Sequence, residues 1–190
     1  TSNVGGAVVM NVSEDHLGVN GIDTVADLAL AKFTVQQAVR PGGHNLVNLD
    51  DEMSHSFIED LPRSKAFFSQ HLAESEVLSY LKSVDDYACF VQDGAFYVYR
   101  NGAKHHIAAV NDVDLTYSGL AKHNIENVLA AICLSLELGR TYAEITAGLL
   151  AFRNDENNQG RFNMFDVKGS KILVDYGHNL ASVDNMLKFA

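Results

Sequence analysis

Apolar positions along the chain follow one spacing up to about residue 86 and another beyond it. Ala7 to Val12 is a short apolar run that reads as a buried strand, and Asn45 to Leu49 is a second. Between them Val25, Leu28, Ala29, Val35 and Val39 form a helical stripe over Thr24 to Val39, which Arg40-Pro-Gly-Gly43 is expected to stop. A helix to about Leu61, a short strand at Ala66 to Phe68 and a helix from Ser75 to Val84 continue an alternating order. From Tyr87 the period shortens. Ala88 to Val91, Phe96 to Tyr99 and His106 to Val110 are separated by Asp93-Gly94 and Asn101-Gly102. Both pairs tolerate the positive φ of tight hairpins, so the pattern predicts an antiparallel meander.

Ala121 to Leu138 then places Ile125, Val128, Leu129, Ile132 and Leu136 on one helical face and stops at Gly139. Tyr142 to Phe152 reads as another helix, and Arg153 to Gln159 as a polar stretch with linker character. Strands at Arg161 to Val167 and Lys171 to Asp175 turn at Lys168-Gly-Ser170, and Gly177 opens a last helix. The fold class is therefore α/β: a mostly parallel sheet flanked by helices, with an inserted meander, over residues 1–152. The start of a second α/β domain is expected at 153–190.

The length of 190 residues suits one domain or one and a fraction. A net charge of -10 argues against binding nucleic-acid backbones, which requires clustered Lys and Arg. It leaves room for a nucleotide, because a few local groups and a metal ion can neutralise phosphates. Cys89 and Cys133 sit in apolar surroundings and suggest neither a zinc site nor a disulfide framework. No apolar run approaches the roughly 20 residues of a membrane span. No signal peptide is visible either, so a reducing cytoplasm is the default expectation. The chain opens on Thr1 and closes inside a helical pattern, so a piece of a longer polypeptide is expected. Missing sheet strands would leave an edge through which copies associate into homo-oligomers.

Three strand ends carry polar clusters: Ser13-Glu-Asp-His16, Asp50-Asp51 and Asp175-Tyr-Gly-His-Asn179. Ligands of open α/β sheets sit at such ends. A helix-capping loop, with Ser13 or Asp15 as the cap, also accounts for the first of them. His16 and Lys32 are one strand exit and two helical turns apart, a spacing that lets them face each other across a loop. A histidine suits a divalent ion, although magnesium prefers oxygen ligands. A lone buried lysine is costly unless paired or chemically modified. Asp50 and Asp51 read as structural, because an acidic pair before a helix is favoured by the helix dipole.

Asn11-Val-Ser-Glu-Asp-His-Leu-Gly18, Ala29-Leu-Ala-Lys32 and Val47-Asn-Leu-Asp-Asp51 resemble the central domain of the Mur ligase superfamily. Lys122-His-Asn-Ile-Glu-Asn127 with Val128-Leu-Ala-Ala-Ile132 resembles its His-Asn helix. Gly160-Arg-Phe-Asn-Met-Phe165 with Val174-Asp-Tyr-Gly-His-Asn179 resembles the start of its C-terminal domain. Gly21-Ile-Asp-Thr24, Gly119 to Asn127 and Phe152 to Phe165 resemble, more narrowly, the branch that builds cyanophycin, an arginine-decorated polyaspartate. Together these motifs span nearly the whole chain.

The resemblance implies ATP and Mg2+ as cofactors and amide formation through an acyl phosphate. Its substrates would be amino acids or peptides, and arginine with a polyaspartate chain under the narrower likeness. By position it implies that His16 helps hold magnesium near the γ-phosphate. Lys32 matches the lysine that many members carbamylate, which turns a cation into an anionic oxygen ligand; the residue also reads as a solvated helix lysine. Asn127 matches the asparagine that reads adenine, a role suited to an amide that donates and accepts. Asn124 and His123 either join it or orient the helix. Arg161 matches an arginine that reaches ATP with a planar fork of donors. Asp175 matches an aspartate that accepts from ribose hydroxyls, and His178 and Asn179 share its loop. Arg161 and Asp175 are expected to reach the nucleotide only after the last domain swings over the central one.

The chain also departs from the family pattern. Leu49 stands where alanine is common, and Gln159 and Leu180 stand where prolines are expected. The Gly-x-x-x-x-Gly-Lys-Ser/Thr phosphate loop is absent, and in the family it precedes the segment present here. This chain alone is therefore expected to bind ATP weakly and not to turn it over. Two other readings remain open at this level: a superfamily ligase acting on peptidoglycan precursors or folate, and a non-catalytic nucleotide-binding module in which Lys32 stays an ammonium.

Overall fold

A computed structural model describes residues 3–14 and 17–189 of the chain. Six strands form one sheet in the order β1-β2-β3-β4-β5-β6: β1 (Val4–Val9), β2 (Val39–Asn48), β3 (Ser64–Ser69), β4 (Tyr87–Gln92), β5 (Ala95–Arg100) and β6 (Ala103–Ala109). β1 to β4 are parallel neighbours, and β4, β5 and β6 pair antiparallel. The meander predicted from sequence is present. Its turns take positive φ at Asp93, Gly94, Asn101 and Gly102, as the dipeptides dictate.

Helices cover both faces of the sheet. α1 (Val25–Phe33), α2 (Glu52–His55) and α3 (Glu74–Ser79) lie on one side, where Leu28, Phe33 and Val77 pack with Val47, Phe67, Ala88 and Phe90. α4 (Lys122–Glu137) and α5 (Tyr142–Ala151) lie on the other, where Ile125, Leu129, Ile132 and Ile145 pack with Leu46, Phe68, Tyr87 and Cys89. Consecutive residues of β2 and β3 thus feed opposite cores. This explains why their sequences read as continuous apolar runs rather than alternating ones. The chain continues through α6 (Asn154–Asn157), a hairpin of β7 (Asn163–Val167) and β8 (Ser170–Val174), and α7 (Leu180–Phe189). Among the described residues no helix is long and apolar enough to cross a membrane, and both cysteines are free and buried.

Two expectations fail for long-range reasons. The helix expected over Thr24 to Val39 ends at Phe33 and passes through a 3-10 turn into β2, which absorbs Arg40-Pro-Gly-Gly43. Gln36 is 0% exposed and pins that turn to the strand. Its side-chain amide donates to the Leu46 carbonyl at 3.0 Å, and its backbone and side-chain oxygens accept from Asn45 Nδ2 at 2.8 Å. Gly43 is required by close approach, since a Cβ there would sit 2.1 Å from the Gly5 carbonyl oxygen of β1. Gly43 marks strand contact, not a helix stop.

The stretch expected as a linker is likewise a junction. Asn154 is 2% exposed, and its Nδ2 donates to the Tyr117 hydroxyl and the Phe162 carbonyl, each at 2.8 Å. Its backbone N–H donates to Asp114 Oδ2 at 2.8 Å, and its carbonyl accepts from Asn163 Nδ2 at 2.9 Å. Amides that looked solvated in the sequence are cross-links here.

The packing of α4 can be tested directly. Leu129 is 0% exposed and Leu138, just past the same helix, is 76% exposed. Leu129→Ala is expected to destabilise by about 3 kcal/mol through lost burial and a residual cavity, and Leu138→Ala by less than about 0.5 kcal/mol. Denaturant melts of the two variants compare them.

Candidate functional site

The rim of the site is built at the carboxyl ends of β1, β2 and β3. Asn48 Nδ2 donates to the Met10 carbonyl at 2.6 Å, tying the exits of β1 and β2. Asp51 accepts from the Val12 N–H at 3.1 Å through Oδ1, and from Ser54 N and Oγ at 2.9 and 2.7 Å through Oδ2. It thereby caps α2 while holding the neighbouring exit. Asp50 accepts from Ser69 Oγ at 2.6 Å and Gln70 N at 2.7 Å, binding the exit of β3. The acidic pair is structural, as its position before a helix suggests, with the added task of lacing three strand ends together.

Lys32 and Glu126 approach this rim from opposite faces. α1 is fixed by a capping box between Thr24 and Asp27, and from its last turn Lys32 Nζ donates to the Asn11 carbonyl at 3.2 Å. From α4, Glu126 comes close enough to the side chains of Asn11 and Asn48 for their amides to favour its charged form. Asn11 thus lies between a lysine of one layer and a glutamate of the other. Burial pushes the Glu126 carboxyl up to about 7, and the charges of Asp50 and Asp51 add to the rise; the Asn11 and Asn48 amides oppose it. Sequence reasoning passed over Glu126. It lies off the apolar stripe of its helix and reads as a solvated residue until the rim closes over it.

His16, expected to face Lys32, lies outside the described residues, as does Asp15. Among the described residues no group of three or more His, Cys, Asp or Glu could hold a metal ion.

Beside the rim, a cavity of about 270 Å³ opens between the start of α4, the turn before β7, the exit of β8 and α7. His123, Asn124, Asn127, Arg161, Phe162 and Asp175 line it, with Asn158, Ser182 and Asn185, to which no role was assigned from sequence. Asn124 is buried and its amide is engaged internally. Its Nδ2 donates to the Leu115 carbonyl at 2.9 Å, and its Oδ1 accepts from Asn127 Nδ2 at 3.1 Å. These bonds tie it to the segment before the helix and to Asn127. Asp175 accepts from Phe162 N at 2.8 Å and Gly177 N at 2.7 Å, one backbone donor on each oxygen.

Phe162 takes φ 52 and is held there by those partners together with the Tyr117 hydroxyl, which donates to its carbonyl at 2.7 Å. The Arg161 guanidinium lies over the Tyr176 ring at 4.7 Å. Burial pulls the His123 pKa down against the charge of Asp175, and its ring packs 4.4 Å from Phe162. Asn124, Asn127, Arg161 and Asp175 thus line one cavity. His178 does not line the cavity. It is exposed, with Nδ1 3.4 Å from the Tyr176 carbonyl, because Asp175 bends the loop back through Gly177.

A family model described as Mur ligase middle domain matches residues 2–135. The chain is 33% identical over 185 residues to a protein named cyanophycin synthetase from Nostoc sp., a match covering 97% of this chain and 20% of that protein. It is 26% identical over 184 residues to a UDP-N-acetylmuramoyl-L-alanyl-D-glutamate--2,6-diaminopimelate ligase from Synechocystis sp., covering 97% of this chain and 34% of the relative. MurF from Acinetobacter baumannii superposes with a TM-score of 0.69 at 19% identity, over 97% of this chain and 36% of that structure, a likeness of fold. The chain spans about a fifth of the length of the cyanophycin synthetases it matches. Matched by the middle-domain model over most of its length and by ligases along nearly all of it, the chain belongs to the Mur ligase family.

Proposed function

We propose that this chain is part of an ATP-dependent carbon–nitrogen ligase that activates a carboxylate as an acyl phosphate and lets an amine displace the phosphate. The carboxylate would be an aspartate side chain and the amine would come from arginine, as the relative named cyanophycin synthetase suggests. The observation that carries the reading is one wall. Asn127, Arg161 and Asp175 come from elements far apart in sequence and line the same cavity, and Glu126, next to Asn127, reaches the rim where Lys32 meets Asn11.

Each group suits its task. The Asn127 amide both donates and accepts, as an adenine edge requires. Each Asp175 oxygen already accepts one backbone N–H and keeps a lone pair for a ribose hydroxyl. The Arg161 fork matches phosphate oxygens. Magnesium, when bound, supplies positive charge against the charge that develops during phosphoryl transfer. As an ammonium on a carbonyl, Lys32 does not fit a cation. Carbamylated, it presents anionic oxygen, and Lys32, Glu126 and His16 would then be the groups to hold the ion. An approaching cation favours ionised Glu126, whose proton is easily lost near neutrality.

A non-catalytic nucleotide module is the second reading, favoured by the observed Lys32 to Asn11 hydrogen bond, which needs no carbamate. Lys32→Ala in the full-length protein separates the two. The ligase reading predicts at least about a hundredfold fall in ATP-dependent amide formation; unchanged turnover contradicts it.

Glu126 gives a pH test. Its folded pKa lies above the ordinary 4.5, so the fold favours the neutral carboxyl. That contribution is complete below about pH 4.5 and is lost as pH rises through about 7. Glu126→Gln is expected to flatten the decline by roughly 1–2 kcal/mol, after allowance for solvent screening. Urea melts across this range on both proteins measure it, and an unaltered slope would assign the effect to other groups.

A further inference from the structure

The opposite edge of the sheet, where β2, β3 and β4 begin and β5 ends, carries a second polar cavity of about 380 Å³. His44 closes its floor at 5% exposure. Its Nε2 lies 2.9 Å from the Asp85 carbonyl oxygen and its Nδ1 2.9 Å from Glu137 Oε1, the latter a charge contact off the line of a good hydrogen bond. Both nitrogens face acceptors, and Glu137 answers the charge of the ring when it is protonated. Burial opposes that charge, but Glu137 and the carbonyl outweigh it and raise the His44 pKa. Tyr87 donates to the same Glu137 oxygen at 2.9 Å.

Arg100 is the other cationic group of the wall. Its guanidinium lies 4.9 Å over the Tyr87 ring, and no ion pair engages it among the described residues. Stacking occupies a face of the guanidinium and leaves its in-plane donors for a ligand. Asp85 lines the same cavity, and among the described residues no ion pair joins it to Arg100. Ser64, Asn101 and Tyr142 add neutral hydrogen-bonding groups, and burial raises the Tyr142 pKa, so its hydroxyl stays protonated. Two opposite charges that share a cavity without closing on each other are complementary to a dipolar ion. A phosphate dianion fits less well, because Asp85 opposes it and one cation faces it.

We propose that this cavity binds a free α-amino acid, with its carboxylate on Arg100 and its ammonium on Asp85. The volume leaves room for a side chain. The proposal is independent of the ligase reading. The site lies across the sheet from the nucleotide cavity, so an occupant would not compete there.

Amide and Arg side-chain NMR titrations of the chain test it, with glycine, L-aspartate and L-arginine as probes and acetate and methylamine as half-probes. At least one amino acid is expected to saturate with Kd around 1 mM, with shifts centred on Arg100 and Asn101. Arg100→Gln and Asp85→Asn should each weaken it at least about tenfold, and the half-probes should bind about as weakly. Should Arg100→Gln fail to fold, Asp85→Asn and the half-probes still decide. No saturable shift with any of the three amino acids, affinity unaltered by Asp85→Asn, or acetate binding as tightly as the amino acid would each overturn the proposal.

Discussion

The lacing of three parallel strand ends by Asn48, Asp50 and Asp51 is the constraint on which the rest of the rim depends. A parallel strand that leaves its sheet takes unpaired backbone donors and acceptors into the loop, and these need partners. Here Asn48 reaches Met10, its own oxygen accepts from the Asp50 N–H at 3.0 Å, Asp51 holds Val12, and Asp50 holds Gln70. The exits are thereby fixed relative to one another. Asn11 is fixed with them, at the place where Lys32 arrives from one helical layer and Glu126 from the other. Unlaced, these side chains would still be present, but without a common point to meet.

The same sheet carries a differently built edge on its far side. There a buried histidine, a carboxylate and a tyrosine hydroxyl meet, and Arg100 faces a polar cavity. Between the edges lie two apolar cores, fed by alternate residues of the same strands. Each rim inherits its rigidity from packing that holds the strands in register.

Local signals were legible in the sequence and contacts between distant segments were not. Asp93-Gly94 and Asn101-Gly102 announce their hairpins because the turn itself needs positive φ. The stripe of Ile125, Leu129 and Ile132 announces α4 because one apolar face suffices. Arg40-Pro-Gly-Gly43 misled because its glycine answers to Gly5, nearly forty residues earlier. Asn154 misled because a buried, fully bonded amide and a solvated one have the same letter.

The site shows the same division. Asn127, Arg161 and Asp175 were visible through motifs, and the cavity brings them to one wall. Glu126 has no local signature, since its burial and its raised pKa are made by the rim. His178 shares a loop with Asp175, yet a bend at Gly177 takes it off the wall.

Amide hydrogen exchange tests the lacing most directly. The account predicts that Val12, Ser54 and Gln70 N–H groups, all bound to Asp50 or Asp51, exchange slowly. Asp51→Ala should then accelerate Val12 and Ser54 by about tenfold or more while leaving β5 unchanged. Rapid exchange at Val12 in the native chain, or equal acceleration at every amide in the variant, would contradict it.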